Sequence, residues 1–416
     1  PLSTGALLAD EVGLGKTVEA GLVLAQYWAE RKRRILIIVP ASLRTQWRTE
    51  LSEKFYIDSI LLDSTIYNKA KKAGQFNPFE ADNQVVICSY NFAARKDAEI
   101  RAIPWDLVIM DEAHRLRNVY KPSNVMGNKL KKALQGRKKL LLTATPLQNN
   151  LMELYGLVSI IDDHVFGDAK IFREMYVTAG NTKLRNHNLQ SRLSGFCQRT
   201  LRKQVTEYVR YTKRHAILQE YMPTKAEEEL YNLISNYLQT AKLYALPQSQ
   251  RTLITMVLRK LLASSTFAIA GTLQSLIARL NALLQGIDAD LDLTDYDTYD
   301  ELHDENSDEE SVADLQQDKI GILDELAKLE QFAKLAENIT TNAKGDNLIF
   351  ALQQGFAKIE ELGGQRKAVI FTESRRTQEY LFNLLSNNGY AGQIVFLNGM
   401  NDDEISRQIY NDWKEK

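Results

Sequence analysis

Four short runs of consecutive apolar residues stand out in the first third of the chain. They are ILIIV (35–39), VVICSY (85–90), LVIM (107–110) and LLLT (140–143). Strands that are buried on both faces have such continuous runs, because helices cover each side of the sheet. Stretches with helical periodicity separate the runs. The pattern therefore predicts an α/β fold built on a parallel sheet.

The pattern becomes helical after about residue 150. Between residues 224 and 285 apolar side chains recur every three or four positions, as in Leu253, Val257, Leu261, Leu273, Leu276, Leu280 and Leu283. This spacing predicts helices with one apolar face. A further amphipathic helix is predicted through Leu323, Leu326, Leu329, Phe332 and Leu335. We expect its stripe to serve packing. Strand-and-helix texture returns at KAVIFT (367–372).

Charge is distributed unevenly along the chain. The formal net charge is −1, yet residues 288–310 hold 12 acidic residues and no Lys or Arg, which predicts a disordered segment. The remainder has 52 basic against 41 acidic residues. This excess of basic residues is expected of a protein that binds a polyanion. The alternative is an ordinary solvated surface together with a flexible acidic loop.

Composition indicates a protein of the reducing cytosol. Cys88 and Cys197 have neither disulfide nor metal-site spacing. No apolar run approaches the length of a membrane span, and we expect no secretory leader before Pro1.

The stretch LLADEVGLGKT near the N-terminus is a candidate phosphate-binding loop. The strict pattern G-x-x-x-x-G-K-[ST] is broken by Asp10, which stands where the first glycine belongs. Gly13 and Gly15 allow backbone N–H groups to turn toward phosphate oxygens. Lys16 can reach the β- and γ-phosphates, and the Thr17 hydroxyl can ligate Mg²⁺. A glycine-rich turn before an ordinary helix is the alternative.

Two carboxylates follow the predicted strand 107–110. Asp111 and Glu112 would lie at the carboxyl edge of the sheet, where α/β folds bind ligands. Asp111 can hold Mg²⁺ together with Thr17, and Glu112 can orient and deprotonate an attacking water. His114 can link this site to a neighbouring lobe. The alternative is a helix N-cap followed by an acid in the first turn.

The stretch LLLTATPLQNN supplies polar side chains after the next predicted strand. Thr143 and Thr145 can donate hydrogen bonds to the catalytic carboxylates or contact nucleic acid. The alternative is a strand and a proline-initiated turn, with Asn149 or Asn150 capping the next helix. We expect Trp47 to be a packing residue.

These stretches, in this order, resemble the superfamily-two helicases and, within them, the Swi/Snf family of ATPases. LLADEVGLGKTVEAG is similar to the family's motif I, in which aspartate occupies the position of the missing glycine. ILIIVPASLRTQW resembles motif Ia, DEAHRLRN motif II and LTATPLQNNLMELYGL motif III. TLRKQV with LRKLLASS resembles bacterial members, which the alanine at position 144 also favours. KAVIFTESRRTQEYL with LNGM is similar to the opening of the second lobe.

The resemblance implies an α/β fold with a P-loop RecA-like lobe, a helical insertion and an incomplete second RecA-like lobe. We expect the first lobe over residues 1–222, the insertion over 223–343 with 288–310 disordered, and the N-terminal part of the second lobe over 344–416. The family's motifs V and VI and its glutamine motif are not matched. We therefore expect the arginine finger and the adenine-recognition residues to lie outside this chain.

The implied activity is ATP hydrolysis coupled to translocation on double-stranded DNA or to remodelling of protein–DNA complexes. ATP and Mg²⁺ are the implied cofactors. Duplex DNA is the expected partner, with other protein subunits or RNA polymerase as further candidates and no membrane, in the bacterial cytoplasm. An RNA- or DNA-unwinding helicase is one alternative. A nucleotide-gated scaffold subunit of a bacterial defence or repair assembly is another.

By the same resemblance, the expected catalytic residues are Lys16, Asp111 and Glu112. The expected ATP-binding residues are Asp10, Glu11, Gly13, Leu14, Gly15, Lys16 and Thr17. The expected metal ligands are Thr17 and Asp111. Coupling between ATP and nucleic acid is expected from His114, Thr143, Thr145 and Gln148. Candidate nucleic-acid contacts, for which a solvated surface is the alternative, are Arg44, Gln46, Arg115, Arg117, Arg375 and Arg376.

Overall fold

The computed structural model describes residues 5–81, 83–178, 182–208, 215–240, 242–246, 251–285, 319–339, 342–372, 374–396, 408–409 and 412. The chain divides into two compact units, residues 1–213 and 214–416. The acidic segment 288–310 and LNGM (397–400) lie outside the described residues. The division into three domains stays a prediction.

A parallel sheet of seven strands forms the centre of the first unit. The strands are β1 (Gly5–Leu8), β2 (Ile35–Val39), β3 (Ser59–Leu61), β4 (Val85–Ser89), β5 (Leu107–Met110), β6 (Lys139–Leu142) and β7 (Cys197–Gln198). Their order is β3-β4-β2-β5-β6-β1-β7. In the register, Ile37 lies opposite both Ile87 and Ile109. The four predicted strands are confirmed to within a residue at their ends.

Helices cover both faces of this sheet. They are α1 (Lys16–Ala29), α2 (Arg44–Phe55), α3 (Ser64–Lys72), α4 (Tyr90–Arg95), α5 (Asp97–Arg101), α6 (Val125–Ala133), α7 (Leu151–Ile161), α8 (Ala169–Phe172) and α9 (Thr182–Leu193). Ile37 and Ile109 pack with α1 and α2 on one face. Ile38 and Met110 pack with α4 to α7 on the other. Burial on both sides explains the continuous apolar runs.

Strands β1, β3 and β7 were not expected from the sequence, because they have two to four residues and no long apolar run. Strand β1 approaches β6 so closely that a Cβ at Gly5 would lie 2.1 Å from the Lys139 carbonyl oxygen. Glycine is therefore required where β1 enters the sheet. Strand β1 lies between β6 and the edge strand β7, and its end delivers the segment after Leu8 to the carboxyl edge of the sheet.

Helices make up most of the described part of the second unit. Its helices are Lys225–Leu238, Arg251–Ser264, Thr266–Leu284, Lys319–Asn338, Ala343–Glu361 and Arg375–Leu385. Leu273 and Leu276 of the predicted helical stripe are buried together with Leu329 and Phe332 of the next one. The helical interpretation of both stretches is confirmed, although Leu323 of the second stripe is exposed.

Helix Thr266–Leu284 corrects one expectation. By length and hydropathy alone it could cross a membrane, whereas no apolar run of this length was expected from the sequence. Ile269, Leu273 and Leu280 are fully buried among the neighbouring helices of this unit. A single helix of this kind also occurs as the core helix of a globular domain, so it is weak evidence for a membrane span.

The segment KAVIFT (367–372) does not form the expected strand. It is without regular secondary structure, and Val369 and Phe371 are 79% and 91% exposed. A strand is stabilised by hydrogen bonds to a neighbouring strand, and no described segment of this unit pairs with it. The helix Arg375–Leu385 that follows is present, with the Ser374 hydroxyl accepting from the Thr377 N–H.

Candidate active site at the carboxyl edge of the sheet

The glycine loop after β1 has the backbone shape that a phosphate requires. Gly13 and Gly15 have φ angles of 79° and 88°, in the left-handed region that glycine enters without strain. Gly15 is the residue that immediately precedes α1. No heavy atom lies within 4 Å of the position a Cβ would take there. Open space therefore faces the positive end of α1, where anions bind.

Lys16 is the cation of this loop. Its Nζ donates hydrogen bonds to the carbonyl oxygens of Asp10 at 2.9 Å and Glu11 at 3.3 Å. The ammonium thus folds back over the loop, and an incoming phosphate would compete for it. Leu14 closes the turn through its N–H, which donates to the Glu11 carbonyl at 3.4 Å.

Asp10 explains why the strict glycine pattern is broken. It is almost fully buried, and its carboxylate accepts a hydrogen bond from the backbone N–H of Thr200, which follows β7. Asp10 therefore ties the start of the loop to the edge of the sheet, a contact that glycine could not make. Burial, followed by the nearby Asp10 charge, raises the pKa of Glu19 on the first turn of α1.

Asp111 comes directly after β5 and is held from both sides. The Trp47 indole N–H donates to Oδ2 at 2.9 Å, and the Glu112 N–H donates to Oδ1 at 2.8 Å. The Tyr90 hydroxyl donates to the Asp111 carbonyl at 2.7 Å. Burial is the largest influence on this carboxyl, and it raises the pKa of Asp111. The sheet thus holds a desolvated carboxylate in one fixed orientation.

Glu112 has an unusual backbone conformation and a charged side chain. Its φ and ψ of 49° and 44° are left-handed, which is rare for a residue with a Cβ and recurs at functional sites. Its Oε2 lies 2.9 Å from His114 Nδ1. That contact, helped by the charges of Lys16 and Arg115, lowers the pKa of Glu112.

The alternative role of these acids as helix caps does not match their contacts. The short 3₁₀ turn Ala113–Leu116 follows Glu112, and no side chain caps it. Lys16 is near enough to favour the charged forms of both Asp111 and Glu112. The structure therefore brings the predicted catalytic residues together at one edge.

The segment after β6 is organised by Glu153, a residue that sequence reasoning missed. Its buried carboxylate accepts from the Gln148 and Asn149 N–H groups at 2.9 and 3.1 Å and from Asn149 Nδ2 at 3.0 Å. Arg117 Nη1 lies 3.7 Å away. These hydrogen bonds outweigh burial and lower the pKa of Glu153. Asn150 precedes α7 without capping it by its side chain.

The predicted coupling threonines have different surroundings. Thr143 is fully buried, its hydroxyl accepts from the Thr145 N–H at 3.2 Å, and its N–H donates to the Leu8 carbonyl at 3.0 Å. Thr145 and Gln148 are exposed. Thr143 thus shapes the turn, and the exposed pair is available for contacts. Their coupling role stays a prediction.

The candidate nucleic-acid residues are divided between the two units, with four in the first unit and two in the second. Arg44 and Gln46 begin α2 after β2, with Arg44 Nε donating to the Ala41 carbonyl at 3.2 Å and Gln46 bonded to Glu50. Arg115 and Arg117 follow β5 at the same edge of the sheet. Arg375 and Arg376 belong to the second unit, where Arg376 Nη1 lies 3.4 Å from Thr272 Oγ1. Their contact with nucleic acid stays a prediction.

Three residues of the site carried weak signals in the sequence. Trp47 ends the motif Ia stretch and looked like packing, whereas it also donates to Asp111. The spacing of Asn150 and Glu153 is that of a capping box, which indicates an acid turned back toward the preceding loop. Arg202 lies in TLRKQV and contacts the glycine loop.

The side chains that could hold a metal ion are few among the described residues. Within the part of the chain that the structure describes, no group of three or more His, Cys, Asp or Glu side chains could hold an ion. The predicted ligands Thr17 and Asp111 do not need a third protein side chain of this kind, because the phosphates of a nucleotide would supply the remaining oxygen ligands. A buried carboxylate and an open glycine cradle fit such a metal–nucleotide complex.

Comparison with known families and proteins finds relatives of this chain. The family model of the SNF2-related domain matches residues 2–276. The chain is 29% identical over 389 residues to the uncharacterized ATP-dependent helicase YqhH of Bacillus subtilis (strain 168), covering 93% of this chain and 58% of that protein. It is 39% identical over 173 residues to the RNA polymerase-associated protein RapA of Serratia proteamaculans (strain 568), covering 40% and 18%. The chain thus spans less than two thirds of either relative.

Solved structures are similar at a greater distance. The SWI2/SNF2 ATPase core of Sulfolobus solfataricus in complex with double-stranded DNA is 19% identical, with 68% of this chain and 61% of that chain covered and a TM-score of 0.40. A second structure, of the SWI2/SNF2 ATPase core domain of Sulfolobus solfataricus, is 18% identical, with 68% of this chain and 60% of that chain covered and a TM-score of 0.41.

Proposed function

This chain belongs to the SNF2-related family, and on that premise we propose that it hydrolyses ATP and uses the energy to move along double-stranded DNA or to remodel protein–DNA complexes. One observation carries the proposal. The glycine loop before α1 and the carboxylates of Asp111 and Glu112 lie at one edge of the parallel sheet, with Lys16 near enough to act on both acids.

Each side chain has a defined task in this proposal. The N–H groups of the loop and the Lys16 ammonium bind the phosphates of ATP. Thr17 and Asp111 hold Mg²⁺, which supplies positive charge against the phosphate oxygens when it is bound. The contact with His114 lowers the pKa of Glu112, and its carboxylate accepts a hydrogen bond from the attacking water and orients it.

Duplex DNA is the proposed track. Outside residues 288–310 the chain has 52 basic and 41 acidic residues, as expected of a protein that contacts phosphates. The name of the Serratia relative includes RNA polymerase, and we propose a protein–DNA assembly of this kind as the target. The bacterial cytoplasm is the proposed location.

The test is an ATPase assay of the full-length protein with duplex DNA, single-stranded DNA or RNA as activator. We expect duplex DNA to stimulate phosphate release most, and increasing salt to weaken that stimulation because phosphate contacts dominate the affinity. Greater stimulation by RNA or single strands would favour an unwinding helicase. Nucleotide binding without turnover under any condition would favour a nucleotide-gated scaffold.

Movement requires its own measurement. A third DNA strand paired to one end of a duplex is displaced by a motor that tracks along the duplex, without any separation of the two duplex strands. We expect ATP-dependent displacement by the wild-type protein and none by Glu112→Gln. DNA-stimulated hydrolysis without displacement would contradict translocation while leaving the ATPase intact.

A further inference from the structure

The chain segment after β7 lies against the glycine loop. The Glu11 N–H donates to the Thr200 carbonyl at 3.1 Å, and the Thr200 N–H donates to the Asp10 carboxylate. The Arg202 N–H donates to Glu11 Oε2 at 2.5 Å. The two segments are about 190 residues apart in sequence, yet they form one continuous hydrogen-bonded layer.

Arg202 reaches further into the loop than its neighbours. Its Nε and Nη2 donate to the carbonyl oxygen of Val12 at 2.9 and 2.6 Å. Nη2 also lies 3.2 Å from the position that a Cβ would take at Gly13. A guanidinium that donates two hydrogen bonds to one carbonyl oxygen fixes the direction of that carbonyl.

The direction of this carbonyl sets the direction of an N–H group. The Val12 carbonyl and the Gly13 N–H belong to one planar trans peptide, so they point to opposite sides. Gly13 has a φ of 79° and no side chain, and its freedom would let this peptide rotate between two orientations. A phosphate loop works only when its N–H groups point at the anion.

We infer that Arg202 is a positioning residue for the phosphate loop. By holding the Val12 carbonyl outward it keeps the Gly13 N–H turned toward the bound phosphates. The inference rests on the proposed function, because it assumes that ATP binds in this loop. Arg202 acts through the peptide and is not required to touch the nucleotide.

The test compares Arg202→Ala, Arg202→Lys and Lys203→Ala in the full-length protein. Lys203 is the exposed cation next in sequence and serves as the matched control. Calorimetric titration gives the Kd for ADP and ATP, thermal unfolding gives the Tm without nucleotide, and steady-state assays with duplex DNA separate KM from kcat.

We expect Arg202→Ala to raise Kd and KM by about 10- to 150-fold, the loss expected for a charge-assisted hydrogen bond. We expect kcat at saturating ATP and the Tm without nucleotide to match the Lys203→Ala control. Arg202→Lys should recover part of the affinity, because its ammonium can donate one hydrogen bond to the Val12 carbonyl.

Two results would overturn the inference. One is a Kd for Arg202→Ala within about twofold of the Lys203→Ala value, which falls inside the variation between neutral surface variants. The other is a fall in Tm alongside the loss of binding, with no recovery in Arg202→Lys, since a general structural role would produce it. Lys16→Ala distinguishes the two proposals. If that variant still binds nucleotide normally, the proposed ATP site itself is wrong.

Discussion

Glu153 offers the sharpest test of how the site is held together. The carboxylate is buried and accepts three hydrogen bonds from the segment between β6 and α7. Glu153→Gln removes the charge and turns an amide N–H₂ toward at least one of the same donors. A hydrogen bond to a charged group contributes about 1.5–3 kcal/mol. Water replaces part of the loss, because Gln148 and Asn149 are exposed.

These opposing effects place the cost of Glu153→Gln at about 2–4 kcal/mol, below the sum of three separate bonds. Equilibrium unfolding in urea, followed by circular dichroism, measures the change. Glu174→Gln is the control, since Glu174 is exposed in the same unit and its replacement should stay within about 0.5 kcal/mol. Equal midpoints for the two variants would refute the organising role of Glu153.

The dependence on pH gives an independent check. Since the pKa of Glu153 is lowered in the folded protein, its stabilisation is complete above the unfolded value of about 4.5 and disappears as the pH falls through the folded value. The difference between wild type and Glu153→Gln should therefore be full at pH 7 and smaller at pH 4. A difference that is constant between these two pH values would contradict a charge-based role.

Three further predictions concern the proposed chemistry and the acidic segment. Lys16→Ala should weaken ATP binding by about 10- to 100-fold in calorimetric titration, because it removes the ammonium assigned to the phosphates; unchanged affinity would contradict that assignment. Glu112→Gln should retain ATP but lower kcat on the order of 10²- to 10⁴-fold, since an amide is no base; wild-type turnover would exclude Glu112 as the base. Deleting 288–310 should leave the fold intact and, if the segment competes with DNA for a basic surface, tighten DNA binding at low salt; equal affinity throughout a salt titration would exclude competition.

Most of the sheet was predictable because strands that are buried on both faces have continuous runs of apolar residues. The runs 35–39, 85–90, 107–110 and 140–143 are apolar at nearly every position, and the strands lie there. Strand β1 could not be predicted in this way, because it has only four residues and is not buried along its whole length. It nevertheless brings the glycine loop to the edge of the sheet. KAVIFT shows the converse, since a strand-like sequence does not pair without a neighbour.

The candidate site was predictable where chemistry restricts the choice of residue. Glycines with left-handed backbone, a lysine and paired acids have few substitutes, so Gly15, Lys16 and Asp111 could be proposed as site residues from the sequence. The supporting residues could not. Trp47, Glu153 and Arg202 act through contacts with segments that are close only in the folded chain, and any one of them reads as an ordinary core or surface residue.

The hydrogen bond between Trp47 and Asp111 gives the protein a built-in optical reporter. Indole emission shifts when the charge near its N–H group changes, and this N–H points at the carboxylate proposed to hold the cation. Trp105 supplies an internal reference, because its N–H donates to the Ile100 carbonyl at 2.9 Å, a neutral partner. Binding at the site can therefore be followed in the unlabelled chain, by comparing the ultraviolet emission of variants that keep Trp47 or Trp105 alone, with the other three of the four tryptophans replaced by phenylalanine.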